Sequence, residues 1–335
     1  MTAILYVLLA VAVSVAIWQV TSIFKLNSVI ATEKDNNTQG ILFAVFGVFF
    51  YLLMIYCFVK YSVVLLPESA SLEGERYDTL YLVTFSLILL VQAITQFLLF
   101  YFSFKYRGVK GRKALFYADS TKLEVIWTAT PAIILAFIVL YGISVWTDVM
   151  DTSDAENPLI VEVYAKQFQW EARYAGADNE LGAASVRNIK GINTMGVDMT
   201  DLNAHDDIPV RELHLPKGRK VIFKFRSQDV LHSAYMPHFR AQMNCVPGMV
   251  TQFAFTPKMT TEEMRANGAT MDKVAGINVI REARGDSPYE FDYLLLCAKI
   301  CGASHYNMQM KIVVEEPAAF NSWLGQQKTL AQVLP

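Results

Sequence analysis

The stretch Phe291-Asp292-Tyr293-Leu294-Leu295-Leu296-Cys297-Ala298-Lys299-Ile300-Cys301-Gly302-Ala303-Ser304-His305-Tyr306-Asn307-Met308-Gln309-Met310-Lys311-Ile312-Val313-Val314 decides how this chain is read. One strand-like run ends at Cys297, a second begins near Gln309, and between them lies the spacing Cys-x3-Cys-x3-His-x2-Met. A tight loop between two strands thus offers Cys297, Cys301, His305 and Met308 from one turn, and Gly302 helps it fold back on itself. A second imidazole, His232, stands upstream in Asp229-Val230-Leu231-His232-Ser233 and is expected to arrive from a neighbouring strand. Two thiolates, two imidazoles and a thioether are soft and borderline donors, the set that suits copper rather than calcium or magnesium. A single-copper carrier needs only one thiolate, whereas two bridging sulfurs can hold a pair of copper ions that share one unpaired electron. The expected chemistry is electron transfer.

Three duller readings compete. A disulfide between Cys297 and Cys301 is permitted in an oxidising compartment, but it leaves His232, His305 and Met308 unexplained. Zinc fits less well, because Cys-x3-Cys is a less usual spacing than Cys-x2-Cys and zinc seldom recruits methionine. For a lone His232 or Met308 a plain core role would be the default; beside this loop, ligation is the better reading. Cys245, in Met243-Asn244-Cys245-Val246-Pro247-Gly248, reads as a buried free thiol and Cys57 as packing in an apolar helix. His205, His214 and His238 have no partners at ligand spacing and read as surface or core residues.

Outward from the loop, β-branched and aromatic residues alternate with polar ones over 159–164, 167–174, 219–225, 250–255, 291–297 and 309–314. Short strands separated by turn signals predict an all-β sandwich or barrel. Two stretches interrupt the pattern: 175–207, rich in Gly, Asn and Asp, and 258–288, with helical spacing around Glu262 to Arg265. Both read as surface excursions or partner contacts. Residues 317–327 read as a short closing helix.

The first 150 residues differ in kind. The chain of 335 residues is 53% hydrophobic, and nearly all of that excess lies in four runs without a charge, 3–24, 41–59, 79–104 and 125–147. Each meets or nearly meets the roughly 20 residues that carry a helix across a bilayer. Lys60 can snorkel to the interface, and Trp18, Tyr101, Trp127 and Trp146 lie near run ends, where aromatic belts form. The segment 105–122 carries Lys105, Arg107, Lys110, Arg112, Lys113 and Lys122 against Asp119 alone, which places it in the cytoplasm. Four crossings then put both ends and the β region outside. The first run lacks a charged n-region and is too long for an ordinary signal-peptide h-region, so it is kept as a helix. The expected division is two extra N-terminal helices (1–66), a helical hairpin (67–150) and an extracytoplasmic β domain (151–335). The net charge of −2 is uninformative, and no basic block suggests nucleic acid.

These residues carry a resemblance. From about residue 104 to the C-terminus the chain resembles subunit II of the haem–copper cytochrome c oxidases, and the loop resembles their binuclear copper centre, CuA. The likeness runs through Thr121-Lys122-Leu123-Glu124-Val125-Ile126-Trp127-Thr128 with Pro131, Arg211-Glu212-Leu213-His214-Leu215-Pro216, the His232 stretch, Val246-Pro247-Gly248 and the Cys297–His305 loop. The resemblance implies transmembrane helices followed by a cupredoxin-like Greek-key β-barrel on the periplasmic side of a bacterial inner membrane. Cys297 and Cys301 would bridge the coppers, His232 and His305 would each bind one, and Met308 and the backbone carbonyl of Lys299 would complete the set. Electrons would come from cytochrome c or a cytochrome-bearing complex, pass Phe168 and Trp170, and leave for haem in subunit I, where further copper and oxygen reduction are expected. Glu124 would stand at the mouth of a proton channel shared with subunit I; a carboxylate favoured by the helix dipole is the plainer account.

The chain departs from the family in three places. Lys299 replaces a glutamate that also helps hold magnesium; its carbonyl survives the change, but an ammonium cannot bind a cation. Phe168 stands where the family often has tryptophan, and the first two apolar runs lie outside the usual two-helix pattern. Quinol-oxidising relatives lack the copper ligands, which are all present here. A CuA subunit of a nitric-oxide-reducing relative and a membrane-tethered copper-binding module are the alternatives. The chain has no Cys-x2-Cys-His motif for a fused c-type haem, and the β region offers no nucleophile–base pair or carboxylate dyad. It is expected to move electrons and to make or break no bonds itself.

Overall fold

The computed structural model describes residues 2–25, 32–62, 66–153 and 155–334. The described residues form eight α-helices and ten β-strands in two compact units, residues 1–62 with 86–127 and residues 63–85 with 128–335.

The four apolar runs fall in helices α1 (Thr2–Lys25), α2 (Glu33–Tyr61), α3 (Leu72–Lys105) and α4 (Thr121–Met150). The last three are long and apolar enough to cross a membrane, while the described apolar stretch of α1, Leu9–Thr21, is shorter. Leu52, Leu82, Leu135 and Phe137 are each more than half exposed, a pattern that water opposes and acyl chains accommodate. A capping box starts α2: the Asp35 N–H donates to the Thr32 hydroxyl at 3.3 Å, and the Thr32 N–H donates to the Asp35 carboxylate at 3.0 Å. In the first unit, α2 meets α3 at Gly47, where an added Cβ would lie 2.6 Å from the Phe100 ring. The missing side chain lets that ring seat against the backbone, and the Tyr51 hydroxyl donates to the Ala93 carbonyl at 2.5 Å.

The second unit is built on two five-stranded sheets. One runs in the order β3 (Ile208–Val210), β2 (Gln169–Tyr174), β1 (Leu159–Lys166), β5 (Val221–Ser227), β8 (Thr251–Phe255). The other runs β4 (Leu213–Pro216), β10 (Gln309–Glu315), β9 (Tyr293–Cys297), β6 (His232–Met236), β7 (Ala241–Cys245). The pairs β1–β5 and β4–β10 are parallel. Period-two side chains, among them Val161, Val163, Phe223, Phe225, Leu295, Ile312 and Val314, share one core between the sheets.

The outward face of β1 is buried as well. Tyr164 packs with Met195, Val197 and Ala204 of the first insertion and with Leu330 and Leu334 near the C-terminus. Beside it, Arg173 is held by Glu162 at 2.7 Å and Asp207 at 2.6 Å, and Arg226 grips the same Glu162 at 2.6 Å. The 175–207 insertion is therefore a second cover for the sheet. The other insertion forms α5 (Thr261–Arg265) and α6 (Gly268–Arg284), and the chain ends in α7 (Pro317–Leu324) and α8 (Leu330–Val333).

The start of α3 and the end of α4 belong to this unit. The Ser71 hydroxyl donates to the Phe239 carbonyl at 2.7 Å, and Arg240 reaches Asp78 with two N–H groups at 2.7 and 2.9 Å. Val149 enters the core and Trp146 sets its edge against Phe253. The turn that follows β6, the strand carrying His232, is thus tied to the start of α3.

Candidate metal centre

Backbone pairing brings the donors together before any side chain is considered. Ala234 of β6 lies opposite Cys297 of β9, so His232, the first residue of β6, starts beside the end of β9. The loop closes where the Cys297 N–H donates to the Met308 carbonyl at 3.1 Å and the Ala298 N–H to the Ser233 carbonyl at 2.9 Å. A single helical turn, His305–Asn307, brings His305 back over Cys301.

The side chains converge. Cys297 Sγ lies 3.8 Å from His232 Nδ1, 3.9 Å from Cys301 Sγ and 3.2 Å from the Lys299 carbonyl oxygen. Cys301 Sγ lies 3.7 Å from His305 Nδ1 and 3.9 Å from Met308 Sδ. All six donors named from the sequence therefore meet at one sulfur pair, with His232 on the Cys297 side and His305 on the Cys301 side. His232, Cys297 and Cys301 alone place their ligand atoms within 4.8 Å of one another. The sulfurs are free: 3.9 Å is nearly twice the ~2.05 Å of a disulfide. Two sulfurs on one metal at about 2.3 Å, with a tetrahedral angle between them, lie about 3.8 Å apart. The observed spacing fits a metal shared by both.

The surroundings are dry. His232, Met308, Cys297 and Cys301 are all buried. Burial, joined by the neighbouring Cys297, pushes the Cys301 thiol up to about 11, so a bound cation is what would hold that thiol deprotonated. Trp170 is buried beneath the loop, donates its Nε1–H to the Met308 carbonyl at 3.3 Å, and lies 6.2 Å from the His232 ring. Phe168 is half-buried against Gly302. Gly302 has φ +141, and an added Cβ would stand 2.8 Å from the Phe168 ring and 2.9 Å from the Gln167 amide. Gly302→Ala is expected to cost about 1–3 kcal/mol, the usual range for a strained backbone position, which urea unfolding of the metal-free chain measures.

Two residues that sequence reasoning passed over complete the site. Asp229 Oδ1 accepts from His232 Nε2 at 2.8 Å and Oδ2 accepts from the Gln167 N–H at 2.8 Å; the Gln167 amide in turn donates to the Cys301 carbonyl. Burial works to raise the Asp229 carboxyl, but the Gln167 N–H, His232 and the Val230 N–H together hold it below the usual range. An acidic residue three positions before a candidate ligand histidine was the available signal.

The remaining candidates lie outside the cluster. Cys245 is buried opposite His232 on β7, and burial above all pushes its thiol up to about 12, so it stays protonated. Cys57 is exposed on α2. His205 is exposed, His214 is stacked at 3.8 Å on Trp323 between Glu212 and Glu315, and His238 lies edge-on to Phe291 and Tyr293. Burial, then Lys273 and Arg240, lower His238 to about 4. Glu124 is exposed in the first turn of α4.

Apolar helices long enough to span a membrane, followed by a two-sheet β domain with two cysteines, two histidines and a methionine at one end of its strands, define a membrane-anchored β-domain protein with a metal-type donor cluster. Residues 60–145 match the model for the transmembrane domain of cytochrome c oxidase subunit II. The alternative cytochrome c oxidase subunit 2 of Bradyrhizobium diazoefficiens is 35% identical over 234 residues, 69% of this chain and 73% of that protein. Cytochrome c oxidase subunit 2 of Thermostichus vulcanus is 21% identical over 291 residues, 80% of each chain. Among solved structures, the periplasmic domain of cytochrome oxidase subunit II from Bradyrhizobium japonicum aligns with a TM-score of 0.30 and 18% identity, over 50% of this chain and 91% of that one. The chain belongs to the cytochrome c oxidase subunit II family. It is the electron-accepting subunit of an oxidoreductase complex and partners other oxidase subunits.

Proposed function

We propose that the donor cluster is a binuclear copper centre that takes electrons from cytochrome c, or from a cytochrome-bearing complex, and passes them to haem in subunit I. The observation that carries this reading is the convergence of His232, Cys297, the Lys299 carbonyl, Cys301, His305 and Met308 on one buried sulfur pair. Held by these donors, a copper pair would supply one-electron transfer with little movement of its ligands. The chain's part is to keep those donors fixed and dry, which the strand ends, the Trp170 floor and the short backbone bonds of the loop support. His232 and His305 coordinate only as neutral imidazoles and the cysteines only as thiolates, so copper loading weakens in acid. Phe168 and Trp170, one half-buried on Gly302 and the other beneath Met308, are the proposed route for incoming electrons. Glu124 is the proposed channel-mouth carboxylate. The proposed setting is a bacterial inner membrane, with residues 151–335 on the periplasmic face, subunit I holding the haems and remaining copper, and oxygen reduction coupled there to proton translocation.

The test is the metal content and colour of the whole chain, purified in mild detergent with its partner subunits. Two coppers attributable to this chain and a purple absorption are expected. Zinc in the loop, or sulfurs joined to one another in the native complex, would overturn the reading.

A further inference from the structure

Asp229 and Gln167 have more hydrogen bonds to the donor set than a surface carboxylate and amide need. Asp229 Oδ1 accepts from His232 Nε2 at 2.8 Å and from the Val230 N–H at 2.7 Å, and Oδ2 accepts from the Gln167 N–H at 2.8 Å. The Gln167 side chain reaches the Cys301 carbonyl, and the next residue, Phe168, lies against Gly302. One turn between β1 and β2 therefore touches both sources of ligands, the start of β6 and the β9–β10 loop.

We propose that Asp229 and Gln167 form a positioning bracket that sets His232 and Cys301 in their metal-binding arrangement before metal arrives, and ties the ligand loop to Phe168. A carboxylate can only accept, so its partner Nε2 carries the imidazole proton, and a neutral imidazole has no second one. Nδ1, 3.8 Å from Cys297 Sγ, is left with its lone pair facing the sulfurs. His232 is fully buried, so no water competes for that choice. Gln167 acts on the other side. The loop it holds carries Ile300 and Tyr306 at 84% and 87% exposure, so few packing contacts restrain those positions. Fixing the Cys301 carbonyl lowers the ordering cost that metal binding otherwise meets. The metal role of the bracket rests on the copper reading above; its grip on His232 does not.

The experiment uses the whole chain in detergent micelles, labelled with 15N-histidine, first without metal and then titrated with copper ions. In the unaltered, metal-free chain, His232 is expected as a single tautomer protonated at Nε2. Asp229→Ala is expected to mix the tautomers and lower copper affinity roughly 10–100-fold, the usual effect of losing an outer partner of a ligand histidine. Asp229→Asn keeps an oxygen that accepts from Nε2, so it should recover most of that loss. Gln167→Ala should leave the tautomer unchanged while weakening copper binding by less than Asp229→Ala. The bracket is overturned if His232 in the unaltered chain is protonated at Nδ1 or mixed, or if Asp229→Ala changes neither tautomer nor affinity. The first of these is read without any variant, so a variant that fails to fold does not blunt the test. A chain that holds the Nε2–H tautomer yet takes up no copper supports the bracket's grip on His232 and sinks the copper reading, which keeps the two failures apart.

Discussion

On the copper reading proposed above, Cys301→Ser is expected to abolish the purple absorption and to leave the complex unable to take electrons from its donor. Cys301 is the hub of the site, with the other sulfur, His305 Nδ1 and Met308 Sδ all within 3.9 Å of its Sγ. A serine hydroxyl is a hard donor that stays protonated at neutral pH and cannot bridge two soft ions. Losing an outer partner of a ligand costs about 10–100-fold in affinity or activity, and losing a bridging ligand exceeds that range. Cys297→Ser should match it, because its sulfur lies beside His232 and the Lys299 carbonyl. Cys245→Ala is the control. Its thiol is equally buried but is no member of the cluster, so the chain should keep its colour with only the small stability loss of a trimmed core side chain. Absorption spectra and copper content of the three variants decide the matter. Colour that survives Cys301→Ser would remove the shared-sulfur centre.

The donor set was legible because it depends on local spacing. Residues 297–308 are contiguous, and a hairpin-like loop holds them together whatever the rest of the chain does. The six predicted strands all appear, with ends shifted by up to two residues. The strands that escaped notice, β3, β4 and β7, are three to five residues long, and of β6 only the presence of His232 on a strand was expected. Their pairing comes from neighbours distant in sequence. The helical spacing expected near 262–265 is α5, whereas the longer α6 was missed because its sequence is polar with glycines at its start, in its middle and at its C-cap. Asp229 and Gln167 stand 62 residues apart, and no periodicity links them. The 175–207 insertion looked like a free excursion because Asp and Gly dominate it; its structural role depends on Met195, Val197 and Asp207 meeting the outer face of β1.

That outer face yields the largest stability effect expected in the chain. Arg173 is 1% exposed and sits between Glu162 and Asp207, while Arg226 supplies the second cation, so two guanidiniums balance two carboxylates. Arg173 also donates to the Gly182 carbonyl at 2.7 Å, which pins the insertion to the sheet. Arg173→Met fills similar space but leaves Asp207 without a cation, and removing one partner of a buried pair costs about 3–5 kcal/mol. The two carboxylates predict opposite pH trends. For Glu162, burial tends to raise the carboxyl, but Arg173 and Arg226 hold it below its ordinary 4.5. Its share of stability is present above that value and is lost as pH falls towards the lower folded one. For Asp207, burial outweighs Arg173 and pushes the carboxyl up to about 7 from 3.8. Its contribution is greatest below 3.8 and declines as pH rises through about 7. With Arg173 gone, Asp207 shifts further up while Glu162 keeps Arg226. The deficit of Arg173→Met is therefore expected to be larger at pH 8 than at pH 5, and urea unfolding at the two values measures it. A deficit that is equal at both, or greater at pH 5, would show that Asp207 does not depend on this guanidinium for its charge.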